Sequence, residues 1–292
     1  MASVRRRATV SSVAGLIVAG SMSAIAFSTS PASAASSHTI KVFITKHRVV
    51  RMTGAMHPGV HKFVVRSGKA SAFQLLSVRR GYSDRELARD AIAGPNGGNL
   101  KALARFTRNT ALLGGVSSAP GARGVMYVNL PRGHRYVAVD TNATKNLARK
   151  LHHFRVAGAR VAGALPVGPT IHATGDETYA ARPASIPHAG LLTFANRSHD
   201  DHFIALAKLL PGKTIADWTT WVNAVTSGGN PGPPPVSENV GLDTGVLSPG
   251  ARFTFAYHGL TKGAYVLTCF WTDVVTGMPH AFMGMYRELD VN

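Results

Sequence analysis

The feature that most constrains the fold is an internal repeat that relates the first half of the chain to the second. The segment Arg51–Phe63 aligns with the segment Arg182–Phe194 through shared Arg, His, Gly and Phe positions. Further matches follow in the same order: Leu75 with Leu206, Gly81 with Gly212, Gly115-Val116 with Gly245-Val246, Pro120–Arg123 with Pro249–Arg252, and Tyr136-Val137 with Tyr265-Val266. Self-similarity over about a hundred positions predicts two copies of one folding unit.

The repeat also predicts where the chain divides. We predict a basic module over 35–160, a linker over 161–167 and a second module over 168–292. The linker assignment depends on the stretch 163–169, which is rich in Gly, Ala and Pro, because such stretches are typical of connections between folded units.

Each copy is built mainly from short runs of β-branched and aromatic residues. These runs are bounded by Gly, Pro, Asn and Ser, and such a pattern predicts strands. In the second copy the predicted strands are Leu191–Ala195, Phe203–Leu209, Phe253–Tyr257 and Tyr265–Trp271. The pattern predicts an all-β fold of two tandem Greek-key β-sandwiches.

A short helix is predicted in each copy, just after the shared glycine. Ser83 with Glu86, and Thr214 with Asp217, have the spacing of a capping box, in which each side chain accepts a hydrogen bond from the other residue's backbone. An apolar periodic run follows each box, and the run Leu100–Phe106 predicts a second helix in the first copy.

The N-terminal residues have the pattern of an export signal. Three arginines, Arg5 to Arg7, precede an apolar stretch over 13–27, and Ala32-Ser33-Ala34 is a small-residue cleavage site. We therefore expect cleavage after Ala34 and a protein that is secreted or associated with the cell envelope. No other segment is long and apolar enough to predict a membrane span.

Charge is unevenly distributed along the chain. From His38 to Arg160 there are 22 Lys and Arg against 4 acidic residues, a balance of +18, whereas from Val161 onward there are 7 against 10, a balance of −3. A cationic unit favours anionic partners, which on an exported protein predicts an anionic cell-envelope polymer bound through 38–160. The alternative is a soluble surface of high pI. We expect no nucleic-acid partner, because the protein is exported and aromatic residues are not interleaved with the basic ones.

The chain has a single cysteine, Cys269, close to the C-terminus. One cysteine in an exported protein cannot form an internal disulfide, so it is a buried thiol, half of an intermolecular disulfide or a metal ligand. Together with His202, His280 and Met285 it offers one thiolate, two imidazoles and one thioether. That is the donor set of a blue-copper centre, with two His and one Cys in a trigonal plane and a weak axial Met.

The second copy resembles the cupredoxin family over most of 168–292. In that family a strand ends near an Asn and the first His ligand follows a few residues later, as Asn196 and His202 do here. The last strand then delivers the Cys, and the loop after it supplies the second His and the Met five residues further on, as in Cys269, His280 and Met285. The resemblance implies tandem cupredoxin-like sandwiches, with one mononuclear copper site in the second.

Alternatives remain open for two of the four ligands. His199 is close to His202 in sequence, and Met283 is close to Met285. Ten residues separate Cys269 from His280, and this loop is longer than in the small electron carriers of the family. Zn²⁺ is a further metal that could occupy the same ligands.

The first copy lacks the ligand set. Its position equivalent to His202 is Ser71, and its position equivalent to Cys269 is Asp140. We therefore expect a module over 35–160 that keeps the fold but binds no copper of this type.

The function predicted from the resemblance is electron transfer or copper handling at the cell envelope, with an unidentified redox partner or copper donor or acceptor. The chain has none of the common hydrolase, metalloprotease, phosphate-loop or dinucleotide motifs, so we expect no enzyme activity. The alternative on this point is a copper-dependent oxidoreductase, which would need a second copper site. The alternative is a metal-free structural protein that binds the envelope through its basic module.

Overall fold

The structure is a computed structural model that describes residues 38–175 and 177–292, apart from the side chains of 238–240. The predicted signal peptide, 1–34, lies outside the described residues. Within these ranges, none of the helices has the length and apolar character needed to cross a membrane.

The described ranges form a mostly β protein with a few short helices. The strands are β1 (His38–Ile44), β2 (Val50–Thr53), β3 (Gly59–Ser67), β4 (Ser71–Val78), β5 (Thr110–Ser118), β6 (Arg123–Leu130), β7 (Arg135–Asp140), β8 (His152–Phe154), β9 (Thr170–Gly175), β10 (Thr178–Tyr179), β11 (Ser185–Ile186), β12 (Gly190–Asn196), β13 (Ala205–Leu209), β14 (Val236–Asp243), β15 (Arg252–Tyr257), β16 (Gly263–Thr268) and β17 (Tyr286–Val291). The α-helices are α1 (Asp84–Ala93), α2 (Leu100–Asn109) and α3 (Ile215–Thr226), and single 3₁₀ turns occupy Leu147–Arg149 and His280–Met283.

One sheet contains strands from both halves of the chain. Its order is β10-β9-β12-β15-β6-β3-β1-β2, and the halves meet where β15 pairs antiparallel with β6, with Phe253 opposite Val128. A four-stranded sheet, β5-β4-β7-β8, faces it from the first half, and a five-stranded sheet, β11-β17-β16-β13-β14, faces it from the second. The main hydrophobic core contains residues from the large sheet and both smaller ones, including Phe63, Phe194 and Phe253.

The two halves also touch through a close approach of glycines. The Gly245 N–H donates to the Gly115 carbonyl at 2.9 Å, and a Cβ added to Gly245 would lie 2.5 Å from the Gly115 Cα. Gln74 crosses the same contact, because its Oε1 accepts from the Val246 N–H at 2.8 Å and its Nε2 donates to the Val246 carbonyl at 3.0 Å. Only glycine leaves room for this backbone contact.

The helices cover smaller apolar clusters outside the main core. Leu87 and Phe106, from α1 and α2, pack on the outer face of the four-stranded sheet with Leu76 and Val139. On the second half, Trp218 of α3 packs with Leu209, Val222 and Val266. The apolar face of each helix is therefore buried against its sheet, as amphipathic helices require.

The predicted β-rich fold and helix starts are confirmed. Both capping boxes form, Ser83 with Glu86 and Thr214 with Asp217, and the second helix of the first half begins at Leu100 after the N-cap Asn99. Two strands are displaced by two or more residues from the prediction, since β13 begins at Ala205, two residues late, and β16 runs from Gly263 to Thr268 where Tyr265–Trp271 was predicted. The repeat and the boundaries 35–160, 161–167 and 168–292 stay predictions.

Candidate metal centre

Three of the predicted ligands meet where strands of the second half end. His202 lies in the loop before β13, and its backbone N–H and C=O pair with Leu247 at 3.1 and 2.7 Å. Cys269 follows directly after β16, and His280 begins the 3₁₀ turn before β17. The sheet therefore positions Cys269, while the two loops beside it bring the histidines to the same place.

The donor atoms form a small triangle. Cys269 Sγ lies 3.8 Å from Nδ1 of His202 and 3.8 Å from Nδ1 of His280, and the two Nδ1 atoms are 2.9 Å apart. A point equidistant from the three atoms is about 2.1 Å from each, which matches the roughly 2.0–2.3 Å bonds that transition metals form with His nitrogen and Cys sulfur. The three residues are positioned to hold a single metal ion.

The three side chains are fully buried, and burial sets the protonation of His202 and Cys269. Burial, with a smaller contribution from His280, lowers the pKa of His202 to about 3, so this imidazole is neutral and can bind a metal. Burial raises the pKa of the Cys269 thiol to about 12, so without a metal the sulfur keeps its proton. Metal binding would release that proton, as thiolate coordination requires.

The backbone around Cys269 ties the three donors together. The Phe203 N–H points at Cys269 Sγ, at 3.5 Å. The Cys269 carbonyl accepts from Ala281 N–H at 2.6 Å, and the His280 N–H donates to the Trp271 carbonyl at 2.9 Å. These bonds limit how far the donors can move, which suits a metal site that must keep one geometry.

Met285 is better placed than Met283 to be the fourth ligand. Met285 is fully buried, its N–H donates to the His280 carbonyl at 2.9 Å, and its carbonyl accepts from the Cys269 N–H at 3.3 Å. The sulfur of Met283 instead lies 3.7 Å from the Thr276 hydroxyl. The assignment of Met285 stays a prediction, as does the full ligand set of His202, Cys269, His280 and Met285.

The environment of His202 differs from a surface loop. His202 is fully buried, and its sequence neighbour Asp201 is 3% exposed. Asp201 accepts a 2.5 Å hydrogen bond from the Ser248 hydroxyl, and burial raises the pKa of Asp201 to about 6. His199, the alternative first ligand, is exposed and lies outside the metal-capable group of His202, Cys269 and His280.

The long loop between Cys269 and His280 folds back on itself. The Asp273 carboxylate accepts from the backbone N–H groups of Val275 and Thr276, at 3.1 and 2.5 Å, and from the Thr276 hydroxyl at 2.6 Å. Thr272 and Pro279 form a β-bridge at the base of this loop. The extra residues therefore form a closed turn that returns the chain to the site.

Sequence reasoning missed two groups beside the ligands. The Tyr179 hydroxyl donates to the carbonyls of Phe203 and Thr268, each adjacent in sequence to a ligand. Carboxylate oxygens of Glu177, Asp200 and Asp273 lie within 4.8 Å of one another and of a nitrogen of His280. A tyrosine in a two-residue strand and acidic residues in separate segments carried no signal in the sequence that they meet beside the ligands.

In the first half, the positions aligned with two ligands have other partners. Asp140, aligned with Cys269, is fully buried and forms a 2.6 Å ion pair with Arg48. It also accepts from the Ala72 N–H at 3.1 Å. Ser71, aligned with His202, is buried at the start of β4. That the first half binds no copper stays a prediction.

Comparison with known proteins gives a mixed result. No family model and no curated protein matches the chain. Similar solved structures include reduced auracyanin from the photosynthetic bacterium Roseiflexus castenholzii (22% identity, 42% of this chain, 94% of that chain, TM-score 0.28). They also include auracyanin A, a "blue" copper protein from Chloroflexus aurantiacus (19%, 42%, 96%, TM-score 0.27) and a purple cupredoxin from Nitrosopumilus maritimus (14%, 43%, 100%, TM-score 0.24). The geometry of the site, and not these similarities, supports metal binding by this chain.

Proposed function

We propose that this protein is an exported copper protein that transfers electrons or handles copper at the cell envelope. The observation that supports this most directly is the buried triangle of one thiol sulfur and two imidazole nitrogens, with sides of 3.8, 3.8 and 2.9 Å. A thiolate with two imidazoles selects copper or zinc, and a weak axial thioether is typical of blue-copper electron-transfer sites.

Each ligand has a definite role in this proposal. Cys269 supplies the thiolate, His202 and His280 supply neutral imidazoles through Nδ1, and Met285 supplies the axial sulfur. When bound, copper at these ligands would change between Cu(I) and Cu(II) and so accept and release one electron. The protein keeps water out, because all four side chains are fully buried, and its backbone hydrogen bonds keep the donors in place between the two oxidation states.

A redox partner or copper donor could dock on the loop between Cys269 and His280. Phe270, Val275 and Met278 on this loop are 40%, 81% and 40% exposed. Three exposed apolar side chains on one loop support a protein-binding surface there.

The second candidate function is binding of an anionic envelope polymer, and one surface favours it. Phe43 of β1 pairs in register with Arg51 on one side and Arg66 on the other, and Arg66 pairs with Arg123 of β6. All four side chains are exposed, so the outer face of the large sheet carries a row of three arginines. Neighbouring strands are about 4.8 Å apart, so Arg66 lies one strand spacing from Arg123 and, across Phe43, two spacings from Arg51. The row can therefore contact spaced charges on an extended anion.

The copper proposal is tested by the visible spectrum of the purified protein after Cu(II) is added. We expect an intense thiolate-to-copper band with one copper retained per chain after desalting. Cys269→Ser should abolish the band and His202→Ala should lose the copper, whereas His199→Ala, a matched change at an exposed histidine, should leave both unchanged. Equal copper retention by wild type and Cys269→Ser would overturn the proposal.

The polymer proposal is tested separately by binding to a teichoic-acid-coated surface at increasing salt. Wild type should bind at low salt and lose affinity steeply as salt rises, and the triple change Arg51→Ala, Arg66→Ala and Arg123→Ala should weaken binding without changing copper content. Binding that is independent of both salt and these arginines would refute it.

A further inference from the structure

A cavity lies between the two halves, and its lining contains none of the predicted metal ligands. Its volume is about 240 Å³. One side is formed by the four-stranded sheet of the first half with α1 and α2, and the other by the segment 243–246 with Phe203 and Trp271 of the second half. Pockets between folded units are common sites for small ligands.

The interior of the cavity is apolar. Its buried walls are mainly aliphatic and aromatic, formed by Phe73, Leu76, Leu87, Phe106, Leu112, Val116, Val139 and Leu147. Two polar residues on the wall already have partners within the protein. The Gln74 amide is bonded to the Val246 backbone, and the Thr244 hydroxyl accepts from the Ile204 N–H at 3.0 Å. An apolar ligand would therefore leave no buried polar group without a partner.

The cavity opens beside exposed polar residues. Asn96, Thr141 and Asp243 are part of its lining and are exposed to solvent. A ligand with an apolar body could thus place one polar substituent at the opening, where it stays hydrated or bonds to these side chains. An ionised ligand would have to bring its charge against the apolar wall or next to Asp243.

Two aromatic residues connect this cavity to the metal centre. Phe203 lies on the wall and points its N–H at Cys269 Sγ, at 3.5 Å. Trp271 also lies on the wall, and its carbonyl accepts from the His280 N–H at 2.9 Å. An occupant of the cavity would therefore contact residues that are bonded to two of the ligands.

We propose that this cavity binds a small uncharged aromatic molecule of one or two rings with one polar substituent. An apolar protein cavity of about 150 Å³ is already large enough to bind benzene, so the volume here accepts a ring with substituents or a fused pair. The aromatic wall residues offer edge and face contacts to a flat ring. This site goes beyond the proposed copper function and does not require the metal.

The proposal is tested by fluorine NMR of 4-fluorophenol with the metal-free protein. We expect saturable broadening of the fluorine signal with a dissociation constant below about 1 mM. The anionic probe 4-fluorobenzoate should bind at least about tenfold more weakly, because its carboxylate would lie beside Asp243 at the opening or be desolvated inside the cavity. Absence of saturable broadening of 4-fluorophenol, or equal binding of the two probes, would overturn the proposal.

Two variants place the probe in this cavity. Ala91→Phe adds a ring from α1 into the cavity and should weaken binding by about tenfold or more. Val167→Phe, at a position that is 92% exposed, should bind as wild type does. Circular dichroism and the thermal midpoint check that both fold. If Ala91→Phe fails to fold, Val246→Phe replaces it, and unchanged binding in the folded variant would overturn the assignment.

Discussion

Replacing Asn196 with alanine should loosen the loop that carries His202. Asn196 is 1% exposed at the end of β12. Its Nδ2 donates to the carbonyls of Asp200 and Leu247 at 2.6 and 2.7 Å, and its Oδ1 accepts from the N–H and hydroxyl of Ser198 at 3.0 and 2.6 Å. Four hydrogen bonds from one side chain therefore hold the turn that precedes the ligand.

The expected loss of stability in Asn196→Ala depends on which of the four bonded groups still have a hydrogen-bond partner. In the variant, the Leu247 carbonyl would still accept a hydrogen bond from the His202 N–H, now at 3.1 Å, and the Asp200 carbonyl would still accept one from the Ser198 hydroxyl, also at 3.1 Å. The buried Ser198 N–H loses its acceptor, the Asn196 Oδ1. A buried donor without a partner costs about 1–3 kcal/mol. With the other lost bonds, we expect Asn196→Ala to lower the free energy of unfolding by about 2–4 kcal/mol.

The assay is urea denaturation of the metal-free protein, together with the rate at which a chelator removes copper from the loaded protein. Asn196→Ala should lower the urea midpoint and release copper faster. Asn196→Asp should be no more stable than Asn196→Ala and should release copper no more slowly, since it places a carboxylate against two carbonyls. Asn129→Ala, at an exposed position of β6, should stay within about 0.5 kcal/mol of wild type. An Asn196→Ala protein with wild-type stability and copper release would refute the reasoning.

Two further predictions follow from the site and from the contact between halves. Met285→Leu should retain copper but change the ratio of Cu(II) to Cu(I) affinity by about tenfold or more, which corresponds to a shift of about 59 mV in a one-electron potential. Met283→Leu should leave the potential unchanged. Protein-film voltammetry measures both potentials. Gly245→Ala should lower the free energy of unfolding by about 1–3 kcal/mol, because its Cβ would lie 2.5 Å from the Gly115 backbone. In thermal denaturation the matched control is Gly68→Ala, whose Cβ would meet the flexible Lys46 side chain at 3.1 Å and the Lys46 backbone nitrogen at 3.3 Å, both longer than the 2.5 Å contact at Gly245. Equal potentials for both Met variants, or equal midpoints for both Gly variants, would contradict these expectations.

The sequence by itself determined features whose signals lie within a few residues of one another. The helix starts at Ser83 and Thr214 were predictable because a capping box involves only residues three apart. The strands β12 and β15 were predictable to within one or two residues because alternation and the flanking turn residues are local. The donor types of the candidate site were also readable, since the chain has one cysteine with histidines and methionines near it.

Only the tertiary structure decided which of these residues meet. His202 and Cys269 are 67 residues apart in the chain, and no local pattern encodes a distance across such a separation. The same reason explains the late start of β13. The Phe203 N–H is directed at Cys269 Sγ and the Ile204 N–H at the Thr244 hydroxyl, so neither residue pairs as part of that strand. The joining of β6 to β15, the burial of His202 and the cavity between the halves likewise depend on long-range packing, which follows from the whole chain and not from any one segment.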